Sequence, residues 1–205
     1  MIKIILKHKS FLLSLYILVF TACGSSAGTE GVSNYVNSSY STISYEEEKT
    51  LTQIGTNQQA LLDAINYERS QTRSCGDRGT FGPTSPLTWN AKLYASALEH
   101  VLDLANSDTF AHNGSGTEYD ITGNGRPSRF YERIVRNGYS NYHTVGENIA
   151  GGQRTLKQVM KAWMSSPRHC ENIMKPIYKE VGVAIVINKS SSYQIYWGQN
   201  FGTKR

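Results

Sequence analysis

Long apolar runs are scarce in this sequence. The one near its start, Phe11 to Phe20, covers about ten residues, half of the ~20 that a membrane-crossing helix requires. That argues against a permanent transmembrane span. Charge of one sign is scarce as well. The formal net charge is +5, yet Lys3, Lys7 and Lys9 lie within residues 1–22 with no acidic residue to offset them, so the rest of the chain carries only +2. Nucleic acid thereby loses its support as a partner. No HExxH motif occurs, nothing marks an oxyanion hole, and no internal repeat is present. Cysteines number only 3: Cys23, Cys75 and Cys170.

What is present begins with an export segment. Three lysines, the apolar run and then Thr21-Ala22-Cys23-Gly24 follow the charge, core and small-residue order of a secretory signal, which we place at residues 1–22. Cys23, directly after two small residues, resembles the acylated cysteine of a bacterial lipoprotein, although Phe20 stands where such sequences usually carry leucine. The resemblance implies attachment to a membrane through acylated Cys23 and a place in the bacterial cell envelope. Gly24 is not the aspartate that retains such proteins in the inner membrane, so an outer-membrane anchor is expected where the cell has two membranes. Whether the protein faces the periplasm or the outside stays open. With Cys23 assigned to lipid, Cys75 and Cys170 remain as an even pair in an exported protein, where disulfides persist. A bridge between them would close a loop of nearly one hundred residues, for which the chain-entropy model gives about 4.7 kcal/mol. Two unrelated buried thiols, or a reactive Cys170 beside His169, are the alternatives.

Residues 23–50 are rich in Ser, Gly, Thr and Asn, with isolated tyrosines and the acidic cluster Glu46-Glu47-Glu48, and they read as a flexible tether. Residues 51–205 form one domain's length of chain. A helix is expected from Asn57 to about Thr72, with Leu61, Leu62 and Ile65 on one face, then a loop rich in glycine and proline. A second helix spans about Asn90 to Ser107 through the recurrence of Leu93, Ala97, Val101 and Leu104. A glycine-broken loop from Gly114 to Gly125 follows, of a length that is commonly functional or mobile, and then a short helix from Ser128 to Arg136. Thr155 suits the N-cap of a helix that breaks near Ser165, and Ser166-Pro167 starts another with His169 in its first turn. There the helix dipole favours the neutral imidazole, the form that ligates metals. Val181 to Asn188 and Tyr193 to Phe201 read as a hairpin. The pattern predicts an α+β fold with helices covering an antiparallel sheet.

Two imidazoles and a carboxylate, His112, Glu147 and His169, stand out as groups that a shared cleft would use to hold a divalent metal or a polar ligand. Each has a plainer reading. Glu147 could brace the Gly151-Gly152 loop from within, and a lone histidine is most often a hydrogen-bonded core or surface group, the reading kept for His8, His100 and His143. Trp89, Trp163 and Trp197 read as core anchors.

Asn66-Tyr67-Glu68-Arg69, Leu87-Thr88-Trp89-Asn90, Ala111-His112, Gly146-Glu147-Asn148-Ile149-Ala150, Ser166-Pro167-Arg168-His169-Cys170 and Gln199-Asn200-Phe201-Gly202 occur in that order. In their spacing the chain from Leu51 to Gly202 resembles the CAP superfamily of cysteine-rich secretory, antigen 5 and pathogenesis-related proteins, and in particular its bacterial SCP-like branch. The resemblance implies a three-layer α-β-α sandwich. It implies that His112, Glu147 and His169 face one another in a cleft that holds a divalent cation, often zinc. A second glutamate of the family's pattern is missing after Trp163, where Met164, Ser165 and Ser166 follow. Glu118 or Glu171 would have to substitute, and Arg168 at the cleft edge would meet an anionic group. With three ligands and an open fourth position the cation would be weakly held. The family's roles imply a non-catalytic binding module that contacts a lipid-like, glycan or protein ligand. The alternative is a metal-dependent hydrolase, a peptidase or esterase, using the same cleft through a bound water of pKa about 7.

Overall fold

The computed structural model describes residues 43–205. The expectations for residues 1–22, for Cys23 and for most of the tether lie outside the described residues.

The first helix, α1 (Tyr45–Thr56), begins inside the stretch read as tether. Its acidic cluster is not a spacer. Ser44 accepts from the Glu47 N–H while Glu47 bonds back to the Ser44 N–H, a capping box that satisfies two of the helix's orphan donors. Leu51 is completely buried, and Glu47 and Glu48 pair with Arg154 (3.0 Å) and Lys189 (2.5 Å). The folded domain therefore starts ahead of residue 51. Asn57 both ends α1 and caps α2 (Gln58–Arg69), so the helix expected to reach Thr72 stops three residues sooner. A two-residue hairpin of β1 (Arg73–Ser74) and β2 (Thr80–Phe81) and a short β3 (Thr88–Trp89) lead into α3 (Ala91–Ser107). Asn90 caps α3 through the N–H groups of Lys92 and Leu93.

After α3 come α4 (Phe130–Arg136), β4 (Tyr142–Gly151), α5 (Leu156–Ser165), α6 (Pro167–Met174), β5 (Glu180–Ile187) and β6 (Ile195–Lys204). The main sheet has the order β3-β5-β6-β4. The three long strands are antiparallel, as expected, while the two-residue β3 runs parallel to β5 and makes the sheet mixed.

Strand alternation assigns the two faces. Val181 and Val183 of β5 and Trp197 and Phe201 of β6 join Leu61, Ile65, Val159, Trp163, Ile173 and Met174 in one core beneath α2, α5 and α6. Ala184 and Tyr196 face the other way and pack on Ala97, Val101 and Leu104 of α3. The fold is α+β with three layers, helices on both faces of the sheet. Glycines let α3 lie close on the strands. A Cβ at Gly182 would stand 2.0 Å from the Tyr94 backbone nitrogen, and one at Gly198 would stand 2.8 Å from Val101.

β4 is an end strand, and its alternate carbonyls are occupied by side chains from the helical layer and the segment after it. Val145 accepts from the Tyr178 hydroxyl (3.3 Å), Glu147 from Asn172 Nδ2 (3.2 Å) and Ile149 from Trp163 Nε1 (3.3 Å).

α6 is fastened at both ends. The expected disulfide is formed, Cys75 to Cys170 across 95 positions, with both cysteines buried. A bridged Cys170 has no thiolate with which to attack. Arg69, wholly buried, donates to the carbonyls of Ile173 (2.6 Å) and Lys175 (3.1 Å), closing the end of α6 as it closes the loop at Ser85 (2.9 Å).

Candidate functional site

Glu147 is the centre of the site, and it sits on β4 rather than at a loop or helix end. Its partner across the sheet is Asn200, and its side chain lies on the α3 face, only 2% exposed. A carboxylate so placed must be compensated or it would take up a proton. Here Oε2 accepts from Arg133 (2.9 Å) and Oε1 from His112 Nδ1 (3.0 Å), while His100 Nε2 lies 3.8 Å away. The Asn200 amide satisfies both its ends only when it donates to Glu147 Oε2 (3.3 Å) and accepts from Ser96 and Ala97. Burial pushes the Glu147 pKa up, but His100, His112 and Arg133 together more than reverse this and hold it below the usual carboxylate range. It stays ionised.

Arg133, itself buried, also holds the carbonyl of His112 (2.8 Å) and that of Ser128 (3.1 Å). The loop before α4, which its length marked as functional or mobile, is in fact built around a second buried carboxylate. Asp120 accepts from the N–H groups of Gly116 (3.2 Å), Gly123 (3.0 Å) and Ser128 (2.7 Å), and Asp103 of α3 holds Ser115 (2.8 Å). His112 is thereby fixed at its backbone and at one ring nitrogen. Its side chain is 53% exposed, and with Nδ1 on the carboxylate, Nε2 is the nitrogen left for a ligand.

His169 comes from the opposite layer. Ser166 precedes Pro167 at the start of α6, as expected, but it makes no side-chain cap bond. The His169 carbonyl accepts from Asn148 Nδ2 (3.2 Å), which also bonds Gln199 (2.9 Å) and so ties α6 to β4 and β6. Burial lowers the pKa of the His169 imidazole, and His112 lowers it further. The two histidines lie on opposite sides of the end strand β4, His112 on the α3 side and His169 on the α6 side.

Of the three residues read from the sequence, Glu147 and His112 are hydrogen-bonded to each other, and His169 feels His112 only through space. Both oxygens of Glu147 are engaged by protein, and among the described residues no group of three or more His, Cys, Asp or Glu side chains is arranged to hold a metal ion. Glu147 stands behind His112, an arrangement in which a carboxylate fixes the orientation of a histidine ring. Glu118 and Glu171 do not complete a metal site. Glu118 is exposed and lines a separate hollow with Asp120 and Asn124, while Glu171 is tied to Arg78 at 2.6 Å. Arg168 is exposed in the first turn of α6. Sequence reasoning passed over Arg133 and His100, and only for His100 was there any signal, its place on the buried stripe of α3. The structure puts His100 against Glu147, with Nε2 on the Ala111 carbonyl (2.9 Å).

Beside His169 lies a hollow of about 260 Å³. Phe110 and Tyr193 form one wall, their ring centroids 4.7 Å apart, and Ile149, Gly151, Gln153 and Ser166 contribute the rest of what concerns its chemistry. A larger groove of about 970 Å³ lies elsewhere, between α2 and α5, lined by Ala64, Tyr67, Leu156, Met160 and Met164 and rimmed by Lys157 and Lys161.

Comparison with known proteins agrees with this architecture. A relative from Bacillus subtilis (strain 168), "Uncharacterized protein YkwD", is 44% identical over 118 residues, covering 57% of this chain and 39% of its own. An extracellular protein containing a SCP domain from Bacillus anthracis superposes with a TM-score of 0.56 at 22% identity, covering 77% of this chain and 43% of the other. The chain thus spans about two fifths of the length of each relative. The model of the cysteine-rich secretory protein family, CAP, matches residues 62–201, which include α3, the Glu147 strand, both cleft histidines and all but the end of β6, and the chain belongs to that family.

Proposed function

We propose that this protein is an exported, lipid-anchored binding module of the cell envelope, in which His112 and His169 hold a divalent cation such as zinc weakly and present it to a ligand. The observation that carries the reading is the engagement of Glu147. A carboxylate bonded to Arg133 and to His112 Nδ1 is spent on orienting the imidazole and is not placed to take a proton from water. This supports binding over turnover. Two protein ligands leave most of the cation's coordination to water or to the ligand, which agrees with weak binding. When bound, the cation would supply a Lewis-acid contact for a ligand oxygen. Export accords with the extracellular relative from Bacillus anthracis, and acylated Cys23 would anchor the protein to the membrane. The ligand classes consistent with the cleft are lipid-like, glycan or protein.

Zinc titration by calorimetry tests the reading. Wild type should bind at a single weak site, Glu147→Gln should weaken it roughly 10–100-fold through loss of the orienting carboxylate, and His112→Ala with His169→Ala should abolish it. Unchanged binding in the double variant rejects the shared cleft. Turnover of peptide, ester or glycan substrates by the zinc-loaded protein, lost in Glu147→Gln, would replace the binding reading by the hydrolase one.

A further inference from the structure

The hollow beside His169 has a composition that selects one kind of occupant, and we propose that it is a subsite for a single neutral sugar ring bearing an acetamido group. The proposal rests on reading the cleft as a binding site and names the ligand class for it. Apart from the titratable His169, no side chain lining the hollow is charged, so an anionic or cationic group would enter without compensation. Its volume of about 260 Å³ falls just below the roughly 300–1,000 Å³ of drug-sized sites, enough for one ring and too little for an extended acyl chain.

The polar and apolar parts are separated in a way that a pyranose matches. Phe110, 41% exposed, packs tilted by 42° against Tyr193 and by 45° against Tyr196, and Tyr196, whose ring centroid lies 6.5 Å from that of Phe110 and 5.9 Å from that of Tyr193, meets Tyr193 edge to face. They offer an aromatic face to the axial C–H groups of a sugar. Opposite in character is Gln153, whose Oε1 is buried and has no hydrogen-bond partner among the described residues. An amide oxygen left in that state costs free energy that a ligand N–H recovers once the Gln153 side chain turns its oxygen into the hollow, and an acetamido N–H is such a donor. Ser166 and the His169 ring add groups that can meet hydroxyls. Gly151 is what permits the wall. A Cβ there would stand 2.8 Å from Tyr193 and 3.2 Å from Phe110, and the rings would have to move off β4.

Saturation-transfer NMR on the full-length protein tests this, with N-acetylglucosamine as probe, glucose as the ring lacking the amide and p-cresol as an apolar ring. N-acetylglucosamine should saturate in the millimolar range, with transfer strongest at the ring C–H groups and the acetyl methyl, and glucose should bind at least about fivefold more weakly. Phe110→Ala should abolish the signal. Gln153→Met should weaken N-acetylglucosamine about fivefold and remove its advantage over glucose. The Gln153 backbone carbonyl, which accepts from Trp197 Nε1 at 2.8 Å, is untouched by that change. Gly151→Ala should weaken both sugars without removing any contact group. Absence of saturation by N-acetylglucosamine, equal binding by wild type, Phe110→Ala and Gln153→Met, or saturation by p-cresol alone would each overturn the proposal. His112→Ala separates it from the cation reading. Sugar bound without any zinc response leaves the subsite standing and the cation reading refuted, and zinc bound without sugar does the reverse.

Discussion

The two faces of one sheet are built on opposite principles. Beneath α2, α5 and α6 the contacts are mostly hydrocarbon, with Trp163 and Trp197 edge to face at 6.5 Å and Leu61, Ile65, Val181 and Val183 around them, and with Arg69, Asn148 and Gln199 as the polar groups buried there. Beneath α3 and α4 the same sheet buries Glu147 and Asn200 against Ser96, His100 and Arg133. The first face gains by removing apolar area from water, roughly 25 cal/mol per Å². The second must satisfy every charge and amide it buries merely to break even. Polarity at that cost, placed against the one exposed imidazole of the cleft, serves the orientation of His112 rather than stability.

The sharpest way to break this comparison is to damage each face once. Trp163→Ala on the hydrocarbon face should cost about 4 kcal/mol in urea unfolding. Arg133→Ala should cost about 3 kcal/mol, because it leaves the Glu147 carboxylate buried without its partner. Replacing both, Arg133→Met with Glu147→Leu, should restore most of that stability while the zinc response is still lost. If the pair of replacements stays as unstable as Arg133→Ala, the polar face is a stabilising device and the contrast fails.

The smallest expected effect is the dependence on pH, measured on protein freed of metal by chelator. Burial lowers the pKa of His100 below its ordinary value, with Arg133 adding to the depression and Glu147 and Asp103 opposing it. The unfolded chain therefore binds a proton that the folded one refuses as the pH drops through about 6.5. Stability should fall from pH 7.5 to 5.5, seen as a lower urea midpoint at constant slope. The fall should shrink in His100→Gln, whose amide can still donate to the Ala111 carbonyl. A midpoint indifferent to pH would place the His100 pKa at its unfolded value.

The apolar contacts of both faces were the legible ones. α3, α5, α6 and the β5–β6 hairpin follow from apolar spacing and from a cap such as Thr155, since burial of carbon is what periodicity reports. β4 was not foreseen, because Gly146, Glu147 and Asn148 break any alternation of apolar residues. They are buried as polar groups whose partners come from distant segments. The resemblance named His112, Glu147 and His169, yet Arg133 and the role of Glu147 as support for His112 depend on a pairing 14 positions apart that no local pattern carries. α1 had a readable sign that composition outweighed. Ser44-Tyr45-Glu46-Glu47 is the spacing of a capping box, and it starts a helix with little apolar period.

The stoppered carbonyls of β4 have a consequence for crowding. Under the proposed lipid anchor, copies of the protein would meet at high local density, and an open end strand would be a template on which those copies could add strands without limit. With Tyr178, Asn172 and Trp163 already seated on three carbonyls of that strand, and only two residues of β3 at the opposite end, the sheet offers neighbours little to extend. Such domains can be packed side by side without fusing into fibres.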